Sequence, residues 1–234
     1  MSEAQQMLET TSLASWLASL PPPQQQAVIA KMSPELVAMT KTWPFKARPE
    51  QVMPKGEWRG WLILAGRGFG KTRTGAEATN EIAENGEMHI GLVGESAADV
   101  RDVMIEGESG ILAVARPDFM PYYEPSKRRV TWPNGAKATA FSGDKPGQLR
   151  GPQHGFVWAD EPAKWRYLTD AWDQMEFGLR SGSMPRWIAT TTPRPLPTIK
   201  EMLKDPTVRV TSGSTYDNAQ NLAPAFIRRI QKKY

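Results

Sequence analysis

Strand, glycine-rich loop, helix: that order most constrains how this chain can fold, and it is written in Ala65-Gly66-Arg67-Gly68-Phe69-Gly70-Lys71-Thr72. The apolar run Trp61-Leu62-Ile63-Leu64-Ala65 precedes the loop, and a helical stretch from Lys71 to Asn85, ended by Gly86, follows it. A triphosphate needs close approach of the backbone, so glycines remove the β-carbons. It also needs bare amide donors, which a helix N-terminus supplies, and a cation for the β and γ oxygens, the role open to Lys71. Thr72 then places its hydroxyl on magnesium. Arg67 adds a planar cation, for the γ-phosphate or for solvent. The pattern G-x-x-x-x-G-K-[ST] is met except at its first position, where Ala65 replaces glycine. Gly66, Arg67, Gly68, Phe69, Gly70, Lys71 and Thr72 are thus the expected ATP-binding residues; the alternative is a glycine-rich turn.

Composition removes other chemistries. The 234 residues contain no cysteine and only two histidines, His89 and His154, so disulfides, thiolate metal sites and a Ser-His-Asp hydrolase are not expected. No apolar run approaches the ~18 residues of a membrane span, and the polar, acidic start is unlike a secretory signal, so a soluble, non-secreted protein is expected. Lys+Arg 29 against Asp+Glu 25 leaves a net charge of +4, which permits a polyanionic partner without establishing one.

The buried-strand runs 61–65, 89–93, 155–159 and 186–190, with crossover helices at 71–85, 97–104 and 163–179, predict an α/β fold with a mostly parallel sheet covered by helices. Asn134-Gly135, between alternating residues, predicts a tight hairpin and hence an antiparallel edge, with positive φ at both turn positions. Residues 1–42 read as a helical appendage, packing element or docking arm. In it Pro21-Pro22-Pro23 stops one helix, Gln24–Lys31 resumes, and Ser33 caps another helix that opens on Pro34.

Phe156-Val157-Trp158-Ala159-Asp160-Glu161 is a strand ending in two carboxylates, which can divide the work: Asp160 in the magnesium shell, Glu161 accepting a proton from, or orienting, the attacking water. A solvated loop or helix start is the plainer reading of such a pair alone. Arg150, in Pro146-Gly147-Gln148-Leu149-Arg150-Gly151-Pro152, is placed to meet transition-state charge, in cis or from a neighbour, or merely to decorate the surface. Thr191 and Thr192, in Thr190-Thr191-Thr192-Pro193, offer hydroxyls that sense the γ-phosphate and couple its loss to movement, though threonines also simply favour strands. Gln51, after Arg48-Pro49-Glu50, has a donor and an acceptor for an adenine edge, with packing of a proline-rich lead-in as the equal alternative.

The ordered set resembles the ATPase domain of a tailed-bacteriophage terminase large subunit of the HK97-like type. It comprises the phosphate loop, Arg48-Pro49-Glu50-Gln51, Leu149-Arg150-Gly151-Pro152-Gln153, Trp158-Ala159-Asp160-Glu161, Thr191-Thr192-Pro193 and Ser214-Thr215-Tyr216-Asp217-Asn218, and covers residues 43–234. The resemblance implies a RecA-like, additional-strand P-loop fold and Mg2+-dependent ATP hydrolysis that drives double-stranded DNA into a prohead. Arg150 matches an arginine finger reaching the neighbouring subunit's nucleotide. The implied partners are portal protein, a small terminase subunit and further copies in a ring on the prohead, with a monomer expected alone, and the implied place is the host cytoplasm at the portal. Residues 43–212 would be the ATPase core and 213–234 a linker towards a nuclease domain that this chain does not carry, so DNA cutting is not expected. The rival readings are a helicase-like nucleic-acid-stimulated ATPase and a nucleotide-gated assembly module. Lys127-Arg128-Arg129, Arg228-Arg229 and Lys232-Lys233 are the DNA-contact candidates, each equally a solvated face.

Overall fold

The computed structural model describes Leu17, residues 20–40 and residues 42–233. The chain divides into two compact units, Met1–Val52 and Met53–Tyr234. In the first, helices α1 (Pro22–Ile29), α2 (Pro34–Thr40) and α3 (Trp43–Lys46) precede a 3-10 turn, Pro49–Gln51. The triple proline starts a helix here: Pro22 and Pro23 occupy its first turn, where a missing amide donor leaves no hydrogen bond unmade. The helix read before it falls mostly outside the described residues. Ser33 caps α2 as expected, its Oγ accepting from Leu36 N–H at 3.3 Å.

The second unit is built on one eight-stranded sheet. Its elements are β1 (Gly60–Ala65), α4 (Lys71–Glu84), β2 (His89–Gly94), α5 (Ala97–Asp99), a π-turn (Val100–Ile105), α6 (Ile111–Val114), β3 (Tyr122–Glu124), β4 (Arg129–Thr131), β5 (Lys137–Ser142), β6 (Phe156–Asp160), α7 (Leu168–Gly178), β7 (Arg186–Thr191), α8 (Pro197–Lys204), β8 (Val208–Gly213) and α9 (Pro224–Lys233). The strand order is β3-β4-β5-β2-β6-β7-β1-β8. Along that order the neighbours from β5 to β8 pair in parallel, while β3, β4 and β5 form an antiparallel edge.

Side-chain alternation sends neighbours in each strand to opposite faces. Trp61, Ile63, Leu92, Phe156 and Trp158 pack under α4, the π-turn and α6. Leu62, Val93, Val157, Trp187 and Ala189 pack under α7 and α8. Burial on both faces explains why these strands read as unbroken apolar runs.

Three expectations need correction. The hairpin after β4 is not a two-residue turn with two positive φ angles: Gly135 alone has positive φ (89°), and its N–H donates to Trp132 O at 2.9 Å. Pro133 has no N–H to pair with Ala136 across a two-residue turn, so Trp132 N–H donates to Ala136 O at 2.9 Å and a three-residue loop with Gly135 as the left-handed residue forms instead. The helix read over 97–104 is one α-turn followed by a π-turn, in which Val100, Met104 and Ile105 are all buried. The helix read over 163–179 begins only at Leu168, because Trp165 leaves helical geometry (ψ 131°) to bury its ring and donate Nε1–H to Asp160 O at 3.1 Å.

Candidate active site

β1 delivers the chain into the glycine loop with its ladder intact, Gly66 N–H donating to Gly213 O at 3.0 Å. The loop turns through Gly68 (φ 77°) and Gly70 (φ 97°), left-handed positions that a β-carbon disfavours. Phe69 anchors it: the ring is fully buried and fills the space that a β-carbon on Gly213 would need. Phe69 therefore offers the crevice backbone and no side chain. The segment after β8 packs onto the loop. A β-carbon on Gly66 would lie 2.7 Å from Thr215 Oγ1, and Asn218 Nδ2 donates to Gly68 O at 2.6 Å.

β7 lies between β1 and β6, with Ile63, Thr190 and Asp160 in one register row. This inserted strand brings the glycine loop and the acidic pair to the two sides of the threonine turn. Lys71, 8% exposed, directs Nζ to Ala65 O (3.0 Å) and Gly66 O (3.2 Å), 3.5 Å from Thr192 Oγ1 and 3.4 Å from Glu161 Oε1. Glu161 is fixed from the other side: Thr192 N–H donates to Oε2 at 3.2 Å, and the Thr192 hydroxyl lies 3.4 Å from both carboxylate oxygens. Its backbone is left-handed (φ 49°, ψ 46°) immediately before Pro162, a strained conformation held by Glu161 N–H donating to Thr190 O at 2.7 Å. Strain of this kind, of order 1–3 kcal/mol, persists where the surroundings over-determine it, as at active sites.

Asp160 is held separately. Thr190 Oγ1 donates to its Oδ1 at 2.7 Å. Burial raises its carboxyl pKa to about 6; the Thr190 hydrogen bond works against this, the Glu161 charge adds to it, and the Lys71 charge opposes it. An acid held above its ordinary 3.8 adds stability that is complete below that pH and is lost as pH rises through about 6. At neutral pH the ionised carboxylate thus costs roughly 1–3 kcal/mol. Asp160→Asn is expected to raise the thermal midpoint at pH 8 and to leave it near wild type at pH 4; an equal shift at both would trace the effect to packing. A carboxylate kept ionised at such a cost suits a cation.

The remaining expected residues are arranged as follows. Thr72 follows Lys71 on the first turn of α4, partly buried. Arg67 and Arg150 are exposed, and neither side chain makes a hydrogen bond or ion pair among the described residues. Arg150 follows the 3-10 turn Pro146–Leu149 and is not joined to the Lys71–Glu161 cluster by any side-chain bond. The Thr191 hydroxyl accepts from Ala163 N–H at 3.4 Å and is not bonded to Glu161. Gln51 belongs to the Met1–Val52 unit, where it is buried and its Oε1 accepts from Arg48 N–H at 3.3 Å. Sequence reasoning assigns no role of their own to Thr190 and Asn218. Strand alternation is the available signal for Thr190, since residue 190 shares a face with 192 whereas 191 does not.

A central strand running into a glycine loop and helix, with one strand inserted before the acid-tipped strand, defines a P-loop NTPase fold of the additional-strand class. Residues 62–234 match the family model described as terminase large subunit, T4likevirus-type, N-terminal. The chain belongs to this terminase large-subunit family. Among solved structures it is similar to the large terminase ATPase domain of Thermus phage P74-26, at 15% identity and TM-score 0.60, covering 84% of this chain and 91% of that one. It is similar also to the large terminase of a thermophilic bacteriophage in complex with ADP, at 17% identity and TM-score 0.61, covering 87% of this chain and 50% of that one. The same thermophilic phage's large terminase in complex with ATP-gamma-S is matched at 16% identity and TM-score 0.57, over 84% and 48% of the two chains. The chain thus spans about half the length of that large terminase. A search of curated proteins gives no significant match. Among the described residues no helix is long and apolar enough to cross a membrane.

Proposed function

We propose that this chain hydrolyses ATP with Mg2+ and is the ATPase part of a motor that drives double-stranded DNA into a prohead. One observation carries the reading: Lys71, Glu161 and Thr192, distant in sequence, meet within 3.5 Å at the carboxyl ends of β1, β6 and β7. The solved complexes of the thermophilic phage's large terminase with ADP and ATP-gamma-S support a nucleotide in this fold.

The donor set fits magnesium, which takes one or two protein oxygens and completes its shell with water and phosphate. Asp160 and Thr72 would hold it, and the ion would supply positive charge to the phosphate oxygens. No cluster of three or more His, Cys, Asp or Glu residues able to hold a metal occurs among the described residues.

Lys71 spends its ammonium on Glu161 and two loop carbonyls, groups that a γ-phosphate displaces. Glu161, still gripped by Thr192 N–H, then has an oxygen for the attacking water and accepts its proton. Thr192, touching both Lys71 and Glu161, suits registering phosphate loss, and Thr191 ties the turn to the chain after β6 through Ala163 N–H. Arg150, exposed, suits reaching a neighbouring copy's nucleotide in a ring. Arg67 lies on the loop, where the γ-phosphate charge is expected. Portal protein, small terminase subunit and a location at the prohead in the host cytoplasm follow from the family reading.

Phosphate release from Mg·ATP, with and without double-stranded DNA, tests this. Hydrolysis that requires Mg2+ and rises with DNA in a salt-sensitive, sequence-independent way supports it. Strand separation would favour the helicase reading, and ATP binding without turnover in either condition would favour a nucleotide-gated assembly module.

A further inference from the structure

Thr190 lies fully buried between two groups of opposite hydrogen-bonding character. Trp158 Nε1, which can only donate, gives its proton to Thr190 Oγ1 at 2.9 Å. Thr190 has a single proton of its own and gives it to Asp160 Oδ1 at 2.7 Å, the nearest acceptor; Ala159 O is 3.4 Å away. An ionised carboxylate can only accept, so with Asp160 charged the Thr190 proton goes to Oδ1 while a lone pair of its oxygen takes the indole proton, and the relay has one direction. Helix α4, which starts at the phosphate loop, makes room for it. A β-carbon on Gly75 would overlap the Trp158 indole at Cε2 and Nε1, and a glycine inside a helix weakens it relative to alanine. The indole's place explains that glycine.

We infer that Thr190 is the positioning residue for the metal-binding carboxylate: the Trp158–Thr190–Asp160 relay ties down Oδ1 and presents Oδ2 to the cation. The inference rests on the assignment of Asp160 to magnesium given above. Partners of this kind orient a ligating carboxylate, and their loss typically lowers metal affinity about 10- to 100-fold.

The test uses the full chain with ADP, Mn2+ standing in for Mg2+, and free Mn2+ read by electron paramagnetic resonance. Thr190→Val keeps the shape and removes the hydroxyl. It is expected to weaken Mn2+ binding about 10- to 100-fold and to leave metal-free ADP affinity within about twofold. Thr190→Ser, which restores the hydroxyl, is expected to recover most of the affinity. Should Thr190→Val fail to fold, Trp158→Phe removes the relay's first donor while keeping an aromatic ring in the core, and is expected to weaken Mn2+ binding severalfold. Wild-type Mn2+ affinity in folded Thr190→Val, or in Trp158→Phe, overturns the relay. So does a Thr190→Ser variant as weak as Thr190→Val, since the loss would then come from packing. Wild-type protein that takes up no Mn2+ with ADP overturns the magnesium assignment itself, a result distinct from either.

Discussion

Glu161→Gln is expected to lower the turnover of Mg·ATP about a thousandfold, the middle of the range for a lost general base, while ATP binding stays within about threefold of wild type. Glutamine keeps an oxygen for the Thr192 N–H, 3.2 Å from the carboxylate in the structure, so the side chain keeps its place. What it loses is the charge that takes the proton from water and the charge that pairs with Lys71 at 3.4 Å. Without that pair Lys71 is freer to meet phosphate, and any change in affinity is expected to be a gain. Single-turnover phosphate release alongside fluorescence titration of a nucleotide analogue reads both quantities. Turnover within tenfold of wild type would remove Glu161 from the chemistry and leave it a structural anion.

Lys71→Ala has the larger effect on binding. Truncating one partner of a buried, hydrogen-bonded charge pair costs about 2–5 kcal/mol, and an ATP affinity lowered at least about a hundredfold is therefore expected. The loss also leaves Glu161 facing Thr192 without a counter-charge. The double variant Lys71→Ala/Glu161→Gln is thus expected to fold more stably than Lys71→Ala alone, and still to bind ATP weakly. Urea unfolding and nucleotide titration on the same samples separate the two effects. A Lys71→Ala protein that binds ATP as wild type does would place the phosphates elsewhere.

The reach of the sequence follows burial. β1, β2, β6 and β7 are covered on both faces, so apolarity alone marks them. β8 escapes such a reading: as the edge strand beside β1 it has buried Val208 followed by exposed Arg209 and Val210, so no apolar run marks it. Lys71, Asp160 and Glu161 are legible because phosphate chemistry demands those residue types after strands. The division of labour in the threonine turn is not legible. Adjacent Thr191 and Thr192 look equivalent, yet the pleat turns Thr191 towards Ala163 and Thr192 towards Glu161, and gives Thr190 to Asp160. Nor does any local pattern reveal that Asn218 reaches back 150 residues to the carbonyl of Gly68, or that Gly75 is small because Trp158 lies against it. Those are products of tertiary packing.

A crystal structure of the chain with Mg2+ and a non-hydrolysable ATP analogue goes to the heart of the matter. Expected are the γ-phosphate within hydrogen-bonding distance of Lys71 Nζ, the metal on Thr72 and Asp160, and a water between the γ-phosphate and Glu161 held by Thr192. A nucleotide bound away from the Gly66–Thr72 loop, or bound there with Glu161 turned from its γ-phosphate, would contradict a shared hydrolytic centre.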